Sequence, residues 1–235
     1  MPDTADSVVA PSRDLRPAAP GILSSVAPGE AEAEYDRHAA VYDRLIGNRV
    51  YNAVMWGLDP REYGRFTEEA LAAGSGPFLD AGCGTLVFTA PLYRSTERPV
   101  VLVDRSVGML EKGRERLAGG AATLIQADLH DLPFAPGTFE TIGCFAMLHV
   151  LADPWRALES LHDRLRPGGR LFASMLVTDR AVGRAYLRVL QRAGEVGPPR
   201  PAAELEAAAR RIFGGSPQVS RSGSMAWLRA EKAPA

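Results

Sequence analysis

The 235 residues are enough for one large α/β domain with an appendage, and a 46% hydrophobic content supplies a sizeable core. A formal net charge of -1 provides no global basic field for nucleic acid, and no apolar run approaches the roughly 18 residues of a membrane span. The two cysteines, Cys83 in a glycine-rich turn and Cys144 in an apolar run, do not form a disulfide framework. They suit a reducing cytoplasm, and Asp3 and Asp6 stand where a secretory signal would carry positive charge.

In chain order, Pro2, Pro11, Pro17, Pro20 and Pro28 lie among Ala, Ser and Asp, which predicts a mobile tail over residues 1–29. From Glu30, Tyr35, Ala39, Tyr42 and Ile46 recur at helical spacing, and Tyr51, Val54, Trp56 and Leu58 follow. Residues 30–74 are therefore expected to form a helical lid or, more blandly, helices packed on a sheet. Asp59-Pro60 starts a helix running to about Ala73. Phe78 to Ala81 is a strand that runs into Gly82-Cys83-Gly84-Thr85, after which Pro91 should kink or end a helix early. Val100 to Val103 is a second strand, and Ser106 caps a helix with Met109, Leu110, Gly113 and Leu117 inward. Thr123 to Ile125 and Thr141 to Phe145 are further strands. Asp153-Pro154 caps a helix closed by Pro167-Gly168-Gly169, and Leu171 to Val177 is a fifth strand. Residues 179–193 and 203–213 read as helices, and residues 217–221 and 224–230 as a terminal hairpin on a sheet edge. Strands alternating with helices predict a parallel sheet covered on both faces.

Gly82 and Gly84 lack a Cβ, so a ligand can approach the turn closely and backbone N–H groups can face an anionic group. A tight turn that binds nothing would look the same in isolation. The dinucleotide fingerprint would need a glycine at position 87, where Val87 stands. Asp80, Asp104 and Asp128 each close an apolar strand at even spacings of 24 residues. In a parallel sheet the carboxyl ends of the strands share one edge, where ligands bind. A carboxylate about 20 residues past a glycine turn is placed to accept both hydroxyls of a ribose, and Asp128 could accept from an adenine amino group. Singly, each acid could instead be a helix cap or an exposed strand end.

Leu79-Asp80-Ala81-Gly82-Cys83-Gly84-Thr85 resembles motif I of the class I S-adenosylmethionine-dependent methyltransferases. Val103-Asp104-Arg105-Ser106, Ala127-Asp128-Leu129, Leu148-His149-Val150 and Leu165-Arg166-Pro167-Gly168-Gly169 resemble the motifs that follow in the small-molecule, ubiquinone-biosynthesis-like branch, methyltransferase type 11. The likeness runs from about residue 34 to the end. It implies a doubly wound, mostly parallel, seven-stranded Rossmann-like sheet spanning residues 75–235, with a substrate-side insertion at 178–215 and an antiparallel terminal hairpin. It implies S-adenosylmethionine as cofactor; no metal is expected, because no His/Cys/Asp/Glu group has ligand spacing. Gly82 and Gly84 would face the methionine part of the cofactor, Asp104 would hold the ribose, and Asp80, Ala81 and Arg105 would also bind the cofactor. Met109 and Leu129 would flank the adenine, Asp128 would take its amino group, Phe145 would lie near the sulfonium, and Tyr42 would reach the carboxylate from the lid. Leu86 departs from the pattern, standing where the family carries a third glycine, and is expected to push the next helix outward or reshape the methionine pocket.

No Asp/Asn-Pro-Pro-Tyr/Phe tetrad is present, so a small organic acceptor is expected rather than nucleic acid, with His149 the candidate general base or a structural histidine. No feature sets an oligomeric state. Two other functions fit the same residues: a cofactor-binding enzyme that cyclises or rearranges without methyl transfer, and a catalytically degenerate partner subunit.

Overall fold

A computed structural model describes residue 10 and residues 14–27 and 48–234. The helix expected around Tyr35 and Tyr42, and Tyr42 itself, lie outside the described residues. Nine strands form one sheet: β1 (Arg16–Ala19), β2 (Ile22–Ser24), β3 (Phe78–Ala81), β4 (Val100–Asp104), β5 (Ala122–Gln126), β6 (Phe139–Cys144), β7 (Leu165–Leu176), β8 (Gln218–Ser222) and β9 (Met225–Glu231). Their order is β1-β2-β5-β4-β3-β6-β7-β9-β8. From β2 through β7 every pairing is parallel, while β1 and the terminal hairpin run antiparallel. The chain winds from β3 outward to β5, then returns to β6 on the other side of β3. The crevice beyond the carboxyl ends of β3 and β6 is thus the switch point of the sheet.

Helices cover both faces, as the apolar runs require. They are α1 (Arg49–Tyr51, continued by a π-helical turn over Asn52–Trp56), α2 (Arg61–Ala72), α3 (Ala90–Ser95), α4 (Val107–Leu117), α5 (Pro154–Arg164), α6 (Ala181–Arg192) and α7 (Ala202–Phe213). Alternate residues of each strand sort between two cores. Leu79, Val101 and Val103 pack with Leu158 and Leu161 of α5 and Leu205 and Phe213 of α7. Phe78, Val100 and Leu102 pack with Phe66 of α2, Tyr93 of α3, and Leu110 and Leu117 of α4. The caps follow the sequence: Ser106 Oγ accepts from the Met109 N–H at 3.1 Å, and Asp153 Oδ1 from the Arg156 N–H at 3.2 Å.

Two expectations are corrected. Residues 16–24 are not a tail but a hairpin that extends the seven-stranded sheet to nine. Ile22 pairs with Leu124 and is 1% exposed, and Ser24 Oγ donates to Gln126 Oε1 at 2.7 Å. The prolines are compatible because Pro17 lies on the outermost strand, where a missing N–H deprives no neighbour. Deleting residues 1–26 should accordingly lower stability by about 2–3 kcal/mol through loss of the buried Ile22 and its hydrogen-bonded neighbours. Denaturant unfolding of the truncated chain with an unchanged midpoint would contradict this. Pro91, second, does not interrupt a helix. It stands in the first turn of α3, where its missing N–H has no intrahelical partner to lose.

Candidate functional site

At the end of β3 the chain turns through Gly82 (φ +79°) and Gly84 (φ +56°), backbone angles that a side chain disfavours. A Cβ on Gly82 would come within 2.5 Å of Met147 Cγ, so the glycine also makes room for that side chain. Leu86 is left-handed too, at φ +59°, and buried. A non-glycine residue in this conformation costs about 1–2 kcal/mol. Its side chain lies against Gly113 of α4, where a Cβ would sit 3.2 Å from the Leu86 Cδ1. Residues between Gly84 and Thr89 remain in turns, and α3 starts only at Ala90. The turn is thus reshaped, and Leu86 helps fill the space between it and α4. Replacing Leu86 with glycine relieves the backbone but opens a cavity worth about 2–5 kcal/mol, so Leu86→Gly should be net destabilising by about 1–3 kcal/mol. A variant that melts at or above the parent temperature would reverse that order.

Asp104 closes β4 with its carboxylate fixed at both ends. Oδ2 accepts from the Gly84 N–H and Oδ1 from the Ser106 N–H, each at 2.9 Å. It therefore joins the glycine turn to the cap of α4. Met109 on the first turns of α4 and Leu129 beyond β5 are buried, while Arg105 is exposed. The Arg105 guanidinium reaches Asp128 Oδ2 at 3.5 Å, and Asp128 Oδ1 accepts from the His130 N–H at 2.8 Å. Burial opposes the charge on Asp128, but His130 and Arg105 outweigh it and hold the carboxyl below its usual range. His130, which in the sequence reads as a surface or lid residue, has a ring that bridges Asp128 Oδ1 (2.9 Å) and the Asp153 carbonyl (3.0 Å).

Asp80 and Ala81 are buried at the end of β3. Asp80 Oδ2 accepts from the Tyr93 hydroxyl at 2.7 Å, while Oδ1 has no partner. Desolvation, partly offset by that hydrogen bond and reinforced by the Asp104 charge, raises its pKa to about 7. Burial first, and then the same two acids, pushes the Cys83 thiol up, so it is no ready nucleophile. At the end of β6, Phe145 folds back over Gly143 and meets the Phe66 ring edge-on, with centroids 5.8 Å apart. Ala146 follows at φ +51°, its N–H donating to Ser174 Oγ at 2.8 Å, and this bend aims Met147 toward Gly82. His149 uses Nδ1 to accept from the Leu176 N–H at 3.4 Å, which leaves its proton on Nε2. Desolvation lowers its pKa to about 4. The ring is neutral near pH 7 and presents a donor, which does not suit the general base the sequence suggested.

The structure thus brings Gly82, Gly84, Asp80, Asp104 and Met147 around one turn, with Asp128, Met109 and Leu129 on the β5 side and Phe145 on the β6 side. Residues 79–173 match a family profile described as a methyltransferase domain. Over those residues the chain is similar to a methyltransferase domain. The methyltransferase match extends to curated relatives: over 149 residues the chain is 35% identical to a demethylmenaquinone methyltransferase of Clavibacter sepedonicus, covering 61% of this chain and 57% of that protein. The chain spans between 33% and 57% of the length of the first curated relatives it matches. The methyltransferase fold recurs in a Thermotoga maritima S-adenosylmethionine-dependent enzyme described as a possible histamine N-methyltransferase, at 20% identity and TM-score 0.62 over 84% of this chain and 97% of that one. It recurs in a Haemonchus contortus phosphoethanolamine N-methyltransferase bound to S-adenosylmethionine, at 14% identity and TM-score 0.65 over 85% and 57%. Among the described residues no helix is long and apolar enough to cross a membrane, and no group of three or more His, Cys, Asp and Glu could hold a metal ion.

Proposed function

We propose that the protein transfers a methyl group from S-adenosylmethionine to a small organic acceptor. The observation that carries this reading is Asp104, held by Gly84 and Ser106 at the switch point of a methyltransferase sheet. In this reading Asp104 receives the ribose hydroxyls with Arg105 at its side. Asp128 takes the adenine amino group, and Met109 and Leu129 cover the ring. Asp80, Ala81, Gly82 and Gly84 face the methionine part, and the buried Oδ1 of Asp80 is a ready acceptor for a cationic group. Met147 occupies the space before Gly82 and, being unbranched, can turn aside to admit the ligand.

Such a site contributes position and exclusion of water. The acceptor forms a bond to the methyl carbon as the carbon–sulfur bond breaks, in line, and the sulfonium leaves as a neutral thioether. Phe145 stands where it can shield that cation. A neutral His149 with its proton on Nε2 can orient an acceptor by donating to one of its oxygens, which leaves another lone pair free and favours an already ionised phenol or an oxygen-stabilised carbanion.

Incubating the chain with methyl-labelled S-adenosylmethionine and a small-molecule extract tests the reading. Label appearing in a small organic product supports it. Tight cofactor binding without any label transferred would move the function to non-methylating chemistry. No cofactor binding would move it to a structural partner.

A further inference from the structure

At the carboxyl end of β7, two elements carry an unusual outer surface. α6 turns Gly183 and Leu187 inward. Its Tyr186 ring packs against Tyr51 and Trp56, with centroids 6.1 Å and 5.3 Å away, and the two tyrosine hydroxyls are 3.1 Å apart. A helix whose inner face is satisfied in this way should show water a polar surface of mixed charge. α6 does not. Arg180 at its N-cap and Arg184, Arg188 and Arg192 recur at every fourth residue, all are exposed, and the helix contains no acid. With about 3.6 residues per turn, that spacing advances only about 40° per step, so the four arginines trace one shallow band. Three acids close to the band are engaged elsewhere: Asp179 pairs with Arg221 at 2.8 Å, Glu204 with Arg200 at 2.9 Å and Asp59 with Arg49 at 3.5 Å, so that Glu195, three residues beyond Arg192, is the acid at its far end.

Beside the band stand Val182 and Val189, and on the adjoining segment Val50 and Val54. These four are the exposed large hydrophobic side chains among the described residues, at 51% to 73% exposure. In a chain of net charge -1 the cationic band is a local feature and not an overspill of global charge.

We propose that this face docks on an anionic lipid surface. Four valines scattered on an outer face lose contact with water if they enter the headgroup layer, and arginines beside them can keep their guanidinium groups at phosphate level. A nucleic acid or an acidic protein segment would engage the arginines but leave the valines in water. The proposal stands independently of methyl transfer.

Sedimentation of the full chain with vesicles tests it. With mixed phosphatidylcholine–phosphatidylglycerol vesicles the protein should bind, and with phosphatidylcholine alone it should stay in solution. The triple variant R184Q/R188Q/R192Q should bind the mixed vesicles about a hundredfold more weakly. V182S/V189S, which leaves the charge unchanged, should bind about tenfold more weakly. The substituted side chains are exposed, and unchanged circular dichroism checks that each variant is folded. Equal binding to both vesicle types, or none to either because another part of the chain covers the face, overturns the proposal. So does retention on heparin that the arginine variant loses while vesicles remain unbound, which would assign the band to an acidic macromolecule.

Discussion

Replacing Asp104 with alanine should weaken S-adenosylhomocysteine binding by about 3 kcal/mol or more, over a hundredfold, as read by calorimetric titration. Two effects act together. The ribose loses a charged acceptor, and each hydrogen bond to a charged group is worth about 1.5–3 kcal/mol. The Gly84 and Ser106 N–H groups also lose the carboxylate that joins the glycine turn to α4, so the turn is no longer held in register. Asp104→Asn separates them, since the amide oxygen can still accept one N–H while the charge is gone. It should bind more tightly than the alanine variant and less tightly than the parent. Asp128→Ala should cost less than either, because Asp128 is already turned to His130 and Arg105. Parent-like affinity in Asp104→Ala would remove the ribose assignment.

Asp80→Asn should change how stability responds to pH. In the folded chain Asp80 titrates at about 7, above its ordinary 3.8, so the folded state keeps a proton that the unfolded state has released. Stability from this group is complete below about pH 4 and is lost as pH rises toward 7. At about 1.4 kcal/mol per pKa unit the loss is about 4 kcal/mol. His149 works in the opposite direction. Its folded pKa of about 4 lies below its ordinary 6.5, so stability is lost as pH falls from 6.5 to 4, by at most about 3 kcal/mol because the residue keeps some contact with water. In the parent the two slopes oppose each other between pH 4 and 6.5 and leave the profile nearly flat. Asp80→Asn removes one of them. It also leaves an amide N–H without a partner where Oδ1 now stands, a penalty of about 1–3 kcal/mol. The variant should therefore be more stable than the parent by about 2 kcal/mol at pH 8, and should lose stability on acidification below pH 6.5. Parallel denaturant profiles for parent and variant at pH 5, 6.5 and 8 would contradict this. The stabilised variant should also bind cofactor more weakly, since the same buried oxygen that burdens the empty fold is the one placed to meet a positive group.

Local chemistry made much of the fold readable before any coordinates. Apolar runs such as Val100 to Val103 can only be buried, Ser106 and Asp153 cap because their oxygens accept N–H groups two or three residues on, and the terminal hairpin follows its Ser222-Gly223 turn. The evenly spaced strand-end acids placed Asp80, Asp104 and Asp128 on one edge. What stayed hidden depended on partners remote in sequence. The hairpin at residues 16–24 exists because β5 offers an open edge, and no property of Pro17 or Pro20 announces that neighbour. Asp80 owes its raised pKa to burial, reinforced by the charge of Asp104, which stands 24 residues away in the sequence; the Tyr93 hydroxyl offsets only part of it. His149 looked like a base until the Leu176 N–H took its lone pair. Leu86 announced a departure from the glycine pattern, but its left-handed backbone and its fit against Gly113 required α4 to be in place.

The most direct measurement is amide nuclear magnetic resonance of the full chain titrated with S-adenosylhomocysteine. The account predicts the largest shifts at Gly82, Gly84, Ser106 and Leu129, with Met147 moving as its side chain leaves Gly82. The competing place for a ligand is a cleft of about 500 Å³ lined by Phe213 to Gln218 and Arg229 to Lys232. Shifts confined to that cleft, with the glycine turn undisturbed, would contradict the account.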